Sequence, residues 1–160
     1  MTQTAQPIIG LGAVLSIGTQ TASPTFTVVN KIKKITPPKP KWGTEDVTTL
    51  DTPNTGRRKI KTLLDQGEMQ ISGEWESADP GQVALAAAFS SAAIAVYGTA
   101  YPFKIALPID IAGGQTTTGD TITFNAHVTG WEIDDVEIDK VVAFSAALTI
   151  DGAITFAEGA

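Results

Sequence analysis

The 160-residue chain contains no cysteine and one histidine, His127. The first absence excludes a disulfide framework and any thiolate metal centre, so stability has to come from packing or assembly. The second leaves few routes to a nucleophilic triad or a transition-metal site, and His127 falls on the polar side of its strand. No glycine-rich stretch has the spacing or strand-to-helix setting of a phosphate loop; GLG near the start and AGGQTTTG in the middle are turn-like. The opening run MTQTAQPIIGLGAVLSIG lacks the positive flank and long apolar core of a secretory signal, so the mature protein is expected to begin near Met1. No catalytic residue, cofactor or metal is expected, and an enzyme is disfavoured.

What is present is a segregated charge pattern. The formal net charge is -6, which argues against a general nucleic-acid binder. Nine of the 11 Lys and Arg lie between Lys31 and Lys61, and fourteen of the 17 acids follow them. A basic front third and an acidic remainder suit contact across a subunit boundary, because complementary patches steer association and fix register.

The organising stretch runs from Asp120 to Asp151: DTITFNAHVTGW, then EIDDVEID, then KVVAFSAALTID. Ile122, Phe124, Ala126 and Val128 share one side of the first strand and Thr121, Thr123, Asn125, His127 and Thr129 the other. In the second, Val142, Phe144, Ala146, Leu148 and Ile150 form the apolar face. Its opposite face, from Val141 to Thr149, carries no charge, so cover by a helix or another subunit is expected. The linking acids Glu132, Asp134, Asp135, Glu137 and Asp139 include enough oxygens to consider calcium. They lack the EF-hand order, and an exposed turn with Ile133, Val136 and Ile138 as hydrophobic pins explains them better.

Elsewhere the chain reads as one β-rich domain. Met1 to Gly12 forms a polar arm. Strands are expected at 13–18, 25–35 with a kink at Val29 and Asn30, 58–64, 67–76, 101–107 and 153–156. Residues 36–58 form a long excursion whose prolines and glycines interrupt pairing, with Trp42 and Val47 to Leu50 available for docking. In GEMQISGEWE, Met69, Ile71, Gly73 and Trp75 point one way and Glu68, Gln70, Ser72, Glu74 and Glu76 the other. The one helix is expected between Ser77 and Tyr97, with Asp79 as N-cap, Pro80 at the first helical position and Gln82 completing a capping-box-like pattern. Leu85, Phe89, Ala92 or Ala93 and Val96 make its main stripe. Residues 80–103 carry no charge, but Pro, Gly, Gln and Ser dilute the run, so a membrane span is not expected. The map is about eight strands with one helix inserted after the fifth, a β-sandwich or barrel with a helix on its flank.

Taken whole, and above all in TITFNAHVTGWEIDDVEIDKVVAFSAALTIDGAIT, the chain resembles the major tail proteins, or tail tube proteins, of long-tailed, non-contractile bacteriophages. The residues carrying this are Phe124-x-Ala126-x-Val128-Thr129, the acidic turn through Asp134 and Asp135, and Val142-x-Phe144-Ser145 closing with Asp151-Gly152. Upstream, a Lys-rich strand, a Pro-rich loop into Val47-Thr48-Thr49-Leu50, Leu64-Asp65-x-Gly67 and the helix opened by Asp79-Pro80 follow in the same order.

The resemblance implies a β-sandwich or barrel with one flanking α-helix, in a single tail tube domain over 1–160. It implies self-assembly into stacked hexameric rings, with 1–12 as an N-terminal arm and 36–58 as an inter-subunit loop. Lys39, Lys41, Trp42, Arg57 and Arg58 are then inter-ring contact candidates, and Glu68, Glu74 and Glu76 lumen candidates, since a negative wall repels transiting DNA. The implied setting is the virion tail, assembled in the host cytoplasm, with tape-measure, tail terminator and distal tail proteins as partners and no membrane. Two rivals remain: a tube subunit of a contractile tail or type VI secretion system, and a monomeric carbohydrate-binding or adhesion module using Trp42, Trp75 and Trp131 for stacking.

Overall fold

A computed structural model of the chain describes residues 10–49, 56–91 and 100–160. Among these, nine strands and one helix follow in order: β1 (Val14–Gly18), β2 (Phe26–Val29), β3 (Ile32–Thr36), β4 (Lys41–Asp46), β5 (Lys59–Asp65), β6 (Glu68–Glu74), α1 (Pro80–Ser90), β7 (Tyr101–Ala106), β8 (Thr121–Ile133) and β9 (Ala143–Ala157). The helix thus follows the sixth strand, not the fifth. The run 25–35 divides into β2 and β3, the proline-rich excursion contains β4, and the last two expected strands merge into β9. Gly152, at φ +84, lets β9 continue through a bulge instead of ending at Ile150.

Seven strands form one antiparallel sheet in the order β2-β1-β7-β8-β9-β6-β3, and β4 and β5 pair apart from it. Alternation fixes the register. Leu15 and Ile17 lie opposite Ile105 and Phe103, which lie opposite Ile122 and Phe124. Leu148 and Ala146 lie opposite Met69 and Ile71 on β6. These side chains share one inner face and form the buried core with Phe144, Ala126 and Val128. Phe103 and Phe124 stack with ring centroids 5.7 Å apart.

One irregularity lay outside the simple alternation. The β8–β9 register slips between Val128 and Gly130, leaving Thr129 as the extra residue. The slip turns Trp131 inward, where its ring meets Phe144 at 5.1 Å and Trp75 edge-on at 5.7 Å.

β2 and β3 are consecutive in the chain, yet they occupy opposite edges of the sheet. Only Asn30 and Lys31 separate them, so the sheet must curl until its edges approach at this corner. The expected kink at Val29 and Asn30 is therefore a full change of edge, with Lys31 in the left-handed region at φ +61.

The N-terminus of α1 closes that corner. Asp79 caps the helix by accepting from the Gln82 amide at 2.9 Å, as its position before Pro80 predicts. It also accepts from the Asn30 amide at 3.3 Å and from the Asn30 side chain. Gln82 does more than a capping box requires. Its side-chain amide donates to the Asn30 carbonyl at 3.1 Å and the Glu74 carbonyl at 2.9 Å, and its oxygen accepts from the Glu76 amide at 2.9 Å. Gly81 permits this approach, because a Cβ there would meet the Val28 carbonyl oxygen. Leu85 and Ala88 complete the inner core, and Phe89, expected in the same stripe, is 45% exposed. The rest of that stripe, 92–96, lies outside the described residues. The described part of the helix packs mainly on β8, β2 and β1 and so seals the inner face; Phe89 near its end borders a groove with Ser145 and Ala147 of β9.

Candidate functional site

The fold leaves three surfaces whose chemistry is unfinished. The first is the β4–β5 hairpin, in which every residue of both strands is exposed. Trp42 pairs with Leu64, Thr44 with Lys61 and Asp46 with Lys59, so these residues share one face; Lys41, Glu45, Ile60 and Asp65 take the other. The Lys61 ammonium sits 5.4 Å from the Trp42 ring centroid. Beyond β4 the connection is held by Asp46, which accepts from both the amide and hydroxyl of Thr48, and by the Thr48 hydroxyl, which accepts from the Arg58 amide at 2.9 Å. The Thr48 hydrogen bonds hold the Asp46 carboxyl below its ordinary range. The structure places Lys39, Lys41 and Trp42 at one end of this exposed hairpin and Arg57 and Arg58 at the other. An isolated two-stranded hairpin is marginal in water, which argues for a partner.

The second surface is the outer face of β6, β9 and β8. Glu68, Gln70, Ser72 and Glu74 face Thr149, Ala147, Ser145 and Ala143 across the ladder. Lys34, Thr36, Gln70, Gly130, Glu132 and Ser145 contribute to an open groove of about 410 Å³ there. Glu74 pairs with Lys33 at 2.6 Å, and this contact lowers its pKa through the hydrogen bond and the adjacent charge. Glu76 lies beyond the end of β6. The wall is therefore less uniformly negative than the alternating sequence implies, because lysines of β3 border it. His127 on the same face lies 3.6 Å from Asp151.

The third surface is the 134–142 connection between β8 and β9. Ile138 is 101% exposed and Val136 75%, with Ile133 and Val141 also exposed. The expected hydrophobic pins therefore point to solvent, not into the core. Lys140 pairs with Glu137 at 2.8 Å, and Asp134, Asp135 and Asp139 alternate in sequence with these apolar residues. Among the described residues no group of three or more His, Asp or Glu is arranged to hold a metal ion. No helix among them is long and apolar enough to cross a membrane.

The three tryptophans separate by environment. Trp75 and Trp131 pack on each other, leaving Trp42 as the exposed one. A flat aromatic platform made from all three is not what the fold builds.

A curled antiparallel sheet with one flanking helix and a free-standing hairpin is the phage tail tube fold. Solved structures of this fold match nearly the whole chain. One is a chain of the anti-feeding prophage baseplate, 6-fold symmetrised, with TM-score 0.68 at 11% identity over 97% of this chain and 98% of that one. Another is a chain from the tail of the empty gene transfer agent particle, in C6 symmetry, with TM-score 0.64 at 15% identity over 96% and 99%. A third is the SPP1 tail tube, with TM-score 0.64 at 16% identity over 96% of this chain and 80% of that one. No protein-family model and no curated protein matches the chain.

Proposed function

We propose that this chain is the repeating subunit of a hollow phage-type tail tube, a structural and non-enzymatic component of a virion. The observation that carries the reading is a fold likeness spanning 96% of the chain or more, to chains of assemblies of 6-fold or C6 symmetry. The exposed hairpin and the uncharged, half-buried outer face of β9 support it, since both are surfaces that neighbouring copies would finish. In this reading the hairpin, with Lys39, Lys41, Trp42, Arg57 and Arg58, reaches the adjacent ring. The outer face bearing Glu68, with Glu74 and Glu76 near its end, lines the lumen and keeps DNA from adhering. Tape-measure, terminator and distal tail proteins meet the tube at its interior and ends.

The fold is shared by an extracellular contractile injection system and by the SPP1 tail tube, so it does not distinguish the two classes of tail. The non-contractile assignment rests on the motif resemblance in the sequence. A carbohydrate-binding module is disfavoured because Trp75 and Trp131 are engaged with each other. Electron microscopy of the purified protein tests the reading: rings or tubes are expected, and persistent monomers that bind glycans would overturn it.

A further inference from the structure

The basic hairpin and the acidic, apolar turn stand at opposite ends of the same strand. The hairpin is rooted at the start of β6, where only Gln66 and Gly67 separate it from β5 and the Gly67 carbonyl accepts from the Ile150 amide at 3.3 Å. The 134–142 turn is rooted at the end of β6, where the Trp75 amide donates to the Val142 carbonyl at 2.8 Å and the Asp134 amide to the Ala143 carbonyl at 2.9 Å. β6 has 7 residues, which separates the two roots by roughly 20 Å at about 3.3 Å per residue.

Their chemistry is complementary. One face of the hairpin presents Trp42 and Leu64 among Lys59 and Lys61, with Leu63 87% exposed at the bulge beside it. The turn presents Val136, Ile138 and Val141 among Asp134, Asp135 and Asp139. Each is an apolar cluster in which one sign of charge predominates, with Asp46 on the hairpin face and Lys140 in the turn as the exceptions, the arrangement that gives both burial and register at an interface. Because they project from opposite ends of one strand, successive copies aligned along that strand bring them together. A contact of this kind is heterologous, head to tail, and repeats without limit along an axis.

We infer that the turn between β8 and β9 is the receptor for the hairpin of the next copy. The occupant is a second copy of this chain, and the seat is built from Val136, Ile138 and Val141 with the adjacent carboxylates. This deepens the tube reading and rests on it. It assigns the hairpin's partner surface.

Charge reversal tests it in the full chain. Lys59→Glu with Lys61→Glu, and separately Asp134→Lys with Asp135→Lys, should each raise the concentration needed for tube formation by at least about tenfold, as like charges come to face each other. Monomer circular dichroism and thermal unfolding should stay unchanged, since all four side chains are exposed. The quadruple variant should recover assembly by restoring opposite charges. Because the natural chain has no cysteine, Leu63→Cys with Ile138→Cys should also form a ladder of disulfide-linked oligomers on oxidation of assembled tubes, whereas neither single variant should ladder. Tubes that form equally well in both reversed pairs, or that form and yield no ladder, would overturn the hairpin-to-turn contact while leaving the tube reading intact. A natural chain that forms no ring or tube would remove both.

Discussion

Asp79 and Asn30, 49 residues apart, are joined by two hydrogen bonds that tie the helix N-terminus to the corner where the sheet changes edge. Gln82 binds the same corner from three residues further on, in the first turn of the helix, and it is fully buried. These contacts let two edge strands as short as β2 and β3 hold the curl of a seven-stranded sheet. The polar atoms involved are mostly backbone groups at or beside strand ends, where buried amides and carbonyls need a partner.

Gln82→Ala should therefore destabilise the unassembled protein by about 2–4 kcal/mol, because it leaves the Asn30 and Glu74 carbonyls and the Glu76 amide without their partner. Equilibrium urea unfolding measures this. Val83→Ala, at an exposed position on the same helix, should change stability by no more than about 0.5 kcal/mol.

Gly81→Ala gives a test of sign. In an exposed helix, alanine stabilises relative to glycine by about 1 kcal/mol. Here the added Cβ meets the Val28 carbonyl oxygen, so the variant should lose about 1–3 kcal/mol instead. Gly10→Ala, which has nothing within 4 Å of its added Cβ, should be close to neutral.

Glu74 gives a prediction in pH. Its contact with Lys33 lowers the folded-state pKa below the ordinary glutamate value. A lowered carboxyl pKa contributes stability that is present above the unfolded-state pKa and lost as pH falls through the folded one. Carboxyl NMR titration should therefore show Glu74 titrating lower than an ordinary glutamate, and Lys33→Met should move it upward. No change on removing Lys33 would contradict the pair.

Much of the strand content was legible because alternation is a local signal. Met69 and Ile71 against Glu68 and Gln70, or Phe124 and Val128 against Asn125 and His127, report their faces without knowledge of any partner. The Asp79-Pro80 helix start was legible for the same reason. The edge change at Asn30 was not, since nothing local distinguishes a kink within a strand from a crossing between sheet edges. The hairpin was obscured by its prolines, which lie outside the paired residues 41–46 and 59–65. The 134–142 turn is exposed as its acids indicate, but Ile133, Val136 and Ile138 do not act as pins, since they too face solvent. Apolar residues that serve an assembly carry the same sequence signature as those that serve a core.

Lys39→Glu combined with Lys41→Glu should weaken polymerisation and alter its salt dependence without changing monomer stability, because both side chains are exposed. Sedimentation across a salt series and thermal unfolding of the monomer separate the two effects. An equal loss of monomer stability would mean that the hairpin belongs to the core.

The most direct test of the central claim is electron microscopy of the purified chain at high concentration, alone and with a tail initiator. Six-fold rings or hollow tubes built from this single subunit are the predicted result. A protein that stays monomeric under both conditions would contradict the assignment.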